Sequence, residues 1–202
     1  MRSLKLPLVA LSLLALCACT TSSLTEQENA PVTGSETTFM GTMKEIDKEQ
    51  SVISFTGKSN IINHEGKFTE YTATVSLDPA EPANLEKAMI TAEVDVTSAL
   101  TEAAGLNAHL QKEDFFAANQ YPKAMFTSTR IVSKGGNLYD VTGDLILKGV
   151  MKEISLAAEI TDDYLTTHYD LPRKDFGIGN DSYGDKLLEE TVPVNVKLVF
   201  KK

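Results

Sequence analysis

The sequence predicts an all-β domain, an antiparallel barrel of about eight strands with a short helical excursion in the middle, and three observations carry this. Residues Val192 to Phe200 place Val192, Val194, Val196, Leu198 and Phe200 on one side and Pro193, Asn195, Lys197 and Val199 on the other. Such a period of two belongs to a half-buried strand. Similar segments recur along the chain with turn residues between them, Lys134-Gly135-Gly136-Asn137 being the strongest hairpin signal. No internal repeat or second domain boundary interrupts them. A barrel closes the exposed edges that so many strands would otherwise leave.

Three segments are expected, 1–18, 19–38 and 39–202. Arg2 and Lys5 precede the apolar run Leu6 to Leu16, which is too short to span a bilayer and reads as a signal peptide. The run ends Leu16-Cys17-Ala18-Cys19, similar to the lipobox of bacterial lipoproteins, with Cys19 as the acylated first mature residue. With Cys17 and Cys19 both in the leader region, a disulfide or thiolate site in the folded domain is excluded. Thr20 after Cys19 favours the outer membrane, by analogy with enteric lipoproteins. Residues 20–38 are rich in Ser, Thr, Glu and Pro and read as a flexible linker spanning roughly 25 Å. Removing residues 1–18 takes Arg2 and Lys5 from 19 basic residues and leaves all 28 acidic ones, a formal charge of −11. That balance argues against a nucleic-acid partner and against lying flat on anionic lipid.

In the barrel, strands are expected at Ser51–Gly57, Thr69–Leu77, Met89–Thr97, Ala124–Val132, Tyr139–Leu147, Ile154–Ile160, Tyr164–Leu171 and Val192–Phe200. Helices are expected at Ala99–Leu106 and Ala108–Asn119, closed by Tyr121-Pro122. An eight-stranded barrel is just wide enough to be filled by side chains or to hold one small ligand. On pattern alone both remain open.

Candidate chemistry is sparse. His64, His109 and His168 are far apart, and His109 with Glu113 at i,i+4 lacks a converging third metal ligand. Gly177-Ile178-Gly179 lacks a dinucleotide loop's third glycine, and Asp181-Ser182 has no helix after it to make a nucleophile elbow. No catalytic residue, metal or cofactor is expected.

A resemblance points further. His109-Leu110 with Asp114-Phe115-Phe116, Tyr121-Pro122 and Phe126 is similar to the H-L-x-x-x-D-F-F-x-x-x-x-Y-P-x-x-x-F segment of the YceI-like family of bacterial periplasmic or secreted lipid-binding proteins. Four more stretches agree in order: Ile46-Asp47 with Ser51, Val52 and Phe55; Gly57-Lys58 with His64, Gly66 and Phe68; Tyr139 to Leu145 (YDVTGDL) with Lys148-Gly149-Val150 and Lys152; and Arg173 with Phe176-Gly177-Ile178. The resemblance implies an extended, lipocalin-like barrel whose apolar cavity holds a long-chain isoprenoid or similar lipid. Gln50, Lys58-Ser59-Asn60 and Pro172 depart from the family pattern, which puts the head group recognised at the mouth in question.

Small inward residues (Ala73, Ala92, Ala158) leave room for a tail, and Phe55, Phe68, Tyr71, Val94, Phe126, Leu145, Val194 and Leu198 are the expected tube lining, each also suited to plain core. His64 and Arg173 are the candidate polar ends, Arg173 being equally suited to pair with Asp175 or Glu189. Phe115 and Phe116 would plug one end of the barrel or form a moving lid. The expected function is a lipid-anchored envelope protein, on the outer membrane facing the periplasm, that sequesters or carries an isoprenoid or acyl lipid. A homodimer is compatible with this. A structural or adhesive lipoprotein with a filled barrel is one alternative. The other is an enzyme acting on an amphiphile, which a His–Asp pair inside the cavity would favour.

Overall fold

A computed structural model describes residues 42–180 and 187–202. The leader, Cys19, the linker and the Asp181-Ser182 pair therefore lie outside the described residues. The strands are β1 (Met43–Gly57), β2 (His64–Phe68), β3 (Tyr71–Ser76), β4 (Met89–Asp95), β5 (Ala99–Thr101), β6 (Lys123–Gly135), β7 (Leu138–Leu147), β8 (Val150–Ile160), β9 (Tyr164–Pro172) and β10 (Thr191–Phe200), with one helix, α1 (Ala104–Leu110). Running β1-β10-β9-β8-β7-β6-β4-β3 and back to β1, eight antiparallel strands close a ring. β2 and β5 extend the wall past it, since β2 pairs with the far half of β1 and β5 with β2.

Local chemistry accounts for the corners. The β7–β8 hairpin turns on Lys148 (φ 51°) and Gly149 (φ 74°), both left-handed, as a tight two-residue hairpin requires. A Cβ on Gly149 would lie 2.5 Å from the Tyr121 ring, so two separate sequence motifs meet there. In β1 the pairing slips between Asp47 and Val52, and this bulge is filled by its own polar side chains. Ser51 Oγ donates to Asp47 O at 2.6 Å and accepts from Val199 N at 2.9 Å, while Gln50 Nε2 donates to Asp47 Oδ2 at 2.7 Å. Gln50 thus belongs to the outer wall of the barrel and not to a cavity mouth.

The expected helices need correction. Ala99–Thr101 is strand, because Ala99 and Thr101 register against Phe68 and Gly66 of β2 and tertiary pairing overrides local propensity. The second expected helix is the end of α1 followed by turns. There Phe116 N donates to Leu110 O at 3.1 Å, Ala117 N to Lys112 O at 2.8 Å, and Ala117 takes a positive φ of 50°.

The two barrel ends differ. Where β1 begins and β10 finishes, Ile46, Val75, Leu77, Ile131, Ile160 and Phe200 are all buried and pack into a solid core. At the other end the strands are joined by long excursions, residues 58–63 and 102–122 and the described segments 173–180 and 187–190.

Candidate functional site

Above the solid end the barrel is hollow, with a cavity of about 520 Å³. From β10, Val192, Val194, Val196 and Leu198 face it, and from β9, Leu165, Thr167, Tyr169 and Leu171 do the same. Six residues of strand at about 3.4 Å each, tilted about 40°, give a depth of roughly 15 Å. Ala92 and Ala158 stand on the wall, where a single methyl leaves the space that Leu or Phe would fill. The alternating face of Val192–Phe200 therefore meets both environments, solid core at Phe200 and open space from Leu198 upward.

Of the expected lining, Phe55, Phe68, Val94, Phe126, Leu145, Val194 and Leu198 stand on the cavity wall, as do His64 and Arg173. Tyr71 does not. It begins β3 just after the break from β2, is buried with Ile53 and Ala73, and has Lys48 Nζ 5.9 Å from its ring centre. Phe55 and Phe68 have ring centres 5.3 Å apart, and Phe68 lies 6.0 Å from Phe116, so aromatic rings crowd the upper wall. Gly66 is opposite Phe55, and a Cβ there would come within 2.3 Å of the Phe55 ring, which fixes the residue type at that pair.

The polar groups gather at the mouth. His64 Nδ1 bonds Glu102 Oε1 at 2.5 Å, and that bond is the main reason the Glu102 carboxyl lies below its ordinary value. His109 Nε2 bonds Asp114 Oδ2 at 2.7 Å, with its ring edge-on to Phe115. Partial burial raises the Asp114 carboxyl, but the bond from His109 and a backbone contact outweigh it and the net shift is downward. His109 pairs with Asp114 and not with Glu113. Among the described residues no cluster of three His, Cys, Asp or Glu suits a metal ion.

Arg173 is 1% exposed, and its guanidinium works on the backbone. It donates to Glu189 O at 2.7 Å, Ile178 O at 2.8 Å, Gly179 O at 2.7 Å and Leu188 O at 3.2 Å. Asp175 instead meets Lys152 at 3.0 Å. Lys148 donates to Gly177 O at 2.7 Å, and burial pulls its ammonium below the ordinary value against the opposing pull of Asp114 and Glu113. Gly179 N donates to Asp114 O at 2.6 Å. These bonds tie the 173–179, 187–189 and 111–116 segments into one collar around the mouth. The sequence pattern gave Lys148 no role in the collar, and it missed the rim residues Ile61, Ile62, Leu106, Leu187 and Leu188, which face the cavity. The Ile61-Ile62 pair inside the polar stretch KSNIINHEG was the available signal.

Comparison with known proteins agrees with this architecture. A UPF0312 protein of Vibrio parahaemolyticus is 33% identical over 120 residues, covering 59% of this chain and 54% of that protein. Protein YceI of Shigella flexneri is 39% identical over 95 residues, 47% of this chain and 48% of its own length. The chain thus matches about half the length of these curated relatives. Among solved structures, Burkholderia cenocepacia BcnA superposes with a TM-score of 0.68 at 27% identity, covering 76% of this chain and 98% of that one. A polyisoprenoid binding domain from Saccharophagus degradans has the same fold at 16% identity and a TM-score of 0.56, covering 78% of this chain and 97% of that one. The YceI-like domain model matches residues 45–200, and by that match and by its hollow eight-stranded barrel the chain belongs to the YceI-like family.

Proposed function

We propose that this protein holds the apolar tail of a long-chain isoprenoid, or a similar amphiphilic lipid, in the barrel cavity and sequesters or carries it within the bacterial cell envelope. The observation that carries this reading is the cavity itself: about 520 Å³, walled almost wholly by apolar side chains, closed by solid core below and rimmed by polar groups above. An amphiphile matches that arrangement, tail down and head at the mouth. Each methylene moved from water into the tube contributes about 0.8 kcal/mol before ordering costs. The description of the Saccharophagus degradans neighbour as a polyisoprenoid binding domain supports the same ligand class. The lipobox ending at Cys19 supports anchoring to the outer membrane, with the domain on a linker in the periplasm. No catalytic step is needed for this role.

The test is what the protein carries. Purified from bacterial membranes with its own leader, it should hold a stoichiometric prenyl or acyl lipid, read by native mass spectrometry and lipid extraction. Ala158→Leu, which fills the lower tube with apolar volume, should stay folded and empty. A wild-type protein that is empty and rejects added isoprenoids and fatty acids would end the proposal and return the filled-barrel, structural reading.

One observation favours a second reading. His109 and Asp114 form a bonded pair and both face the cavity, the arrangement an enzyme acting on an amphiphile would use, with Asp114 orienting His109 as a base. If so, lipid recovered from wild-type protein would be chemically altered and that from His109→Gln would not.

A further inference from the structure

We infer that the rim loop bearing Ile61 and Ile62 is a membrane-docking tip that inserts into a lipid bilayer and joins the cavity to it. This rests on the proposed lipid-binding role and adds the route by which the lipid enters.

Ile61 is 79% exposed and Ile62 is 56% exposed, yet both also face the cavity. An apolar surface thus runs unbroken from the inside of the tube to solvent. Other exposed apolar residues lack this link: Met43 and Leu138 lie at the solid end of the barrel and do not face the cavity. The isoleucines are also held in place. Ser59 Oγ accepts from Ile61 N at 3.3 Å and Ile62 N at 3.0 Å and donates to Ile62 O at 2.6 Å. Asn60 N donates to Leu187 O at 3.2 Å, Glu189 N donates to Lys58 O at 3.0 Å, and Ser59 bridges Leu188. A loop braced on both flanks keeps its two large apolar side chains in water, a cost that burial in hydrocarbon removes. A tail leaving the tube needs apolar surroundings throughout, and a bilayer seated on this rim supplies them. Lys58 and Glu189 both line the mouth and Glu102 is bonded to His64, so neither sign of charge dominates beside the loop and a zwitterionic surface is the better match.

The chain contains no tryptophan, so a single introduced one reports a single place. The full chain is prepared with Cys17→Ser and Cys19→Ser, so that no acyl anchor contributes, and carries either Ile61→Trp at the rim or Leu138→Trp at the solid end. Phosphatidylcholine vesicles should shift the Ile61→Trp emission to the blue, and brominated lipid should quench it, with neither effect for Leu138→Trp. In the same background, Ile61→Ser/Ile62→Ser should slow movement of a dansyl-labelled farnesol between vesicles by about tenfold or more. Its loading from detergent, read by native mass spectrometry, should fall far less than its transfer, because most of the apolar wall is untouched. Equal response at both tryptophans, no response at either, or unchanged transfer by the double variant would overturn the docking tip. So would loading from detergent with no vesicle transfer by the unsubstituted rim, which would assign the rim to a protein partner. Failure of that same rim to load even from detergent would end the lipid-binding role itself and this inference with it.

Discussion

Arg173 offers the sharpest separation of a structural from a ligand-binding role. Replacing it with Met keeps most of its apolar stem and removes the donors to four backbone carbonyls, on Glu189, Ile178, Gly179 and Leu188. A buried acceptor left without a partner costs about 1–3 kcal/mol. Water reaching the outer pair would reduce the sum, so Arg173→Met should lose about 3–5 kcal/mol. For a domain of this size that is a fall in Tm of roughly 10 °C, at about 2–4 °C per kcal/mol. Arg173→Lys, with a charge but no planar fork, should recover only part of it. The assay is thermal unfolding followed by circular dichroism, with bound lipid counted by native mass spectrometry on the folded protein. If Arg173→Met moves Tm by less than about 2 °C yet abolishes lipid retention, the structural assignment is wrong and the guanidinium serves the head group.

Three further outcomes are expected. Phe116→Ala opens the aromatic upper wall and should cost about 2 kcal/mol while speeding lipid exchange; lost stability with unchanged exchange would leave Phe116 as a passive plug. Gly143→Ala would bring a Cβ to 2.4 Å from Thr127 O and 2.6 Å from the Phe126 ring, and should destabilise by about 2 kcal/mol in urea unfolding, a neutral result being contrary to the packing described. The Asp114 carboxyl titrates below its ordinary 3.8 in the folded protein, so its bond to His109 stabilises the fold above that pH and is lost as pH falls through the lower, folded value. Asp114→Asn should therefore be less stable than wild type at neutral pH and converge on it in acid; a gap that widens below pH 4 would contradict the sign.

Much of the wall was legible because strands write their burial into the sequence with a period of two. β7, β9 and β10 were expected within one residue at each end, while β6 runs three residues past the expected Val132 and β8 begins four before the expected Ile154; the Gly136-Asn137 turn lies where the glycines require it. β2 and β5 were missed, since both are short and owe their conformation to partners distant in sequence. The upper collar was unreadable for the same reason. Arg173 looked like a polar end for a ligand, and only the return of residues 178–179 and 188–189 over it reveals a guanidinium serving carbonyls. Tyr71 shares the inward face of its strand with Ala73 and Val75, all of them packed core and none on the cavity wall, and a pattern of alternation cannot tell a side chain that faces a cavity from one that fills the space beside it.

By itself the sequence determined the barrel class, the inward face of most strands, and small inward residues such as Ala92 and Ala158, all of them local consequences of side-chain size and period. Only the tertiary structure decided that the barrel is solid at Phe200 and hollow from Leu198 to Val192, and that Ile61 and Ile62 stand at its mouth. Empty space is a property of where distant side chains stop short of one another, and no single strand carries that in its own residues.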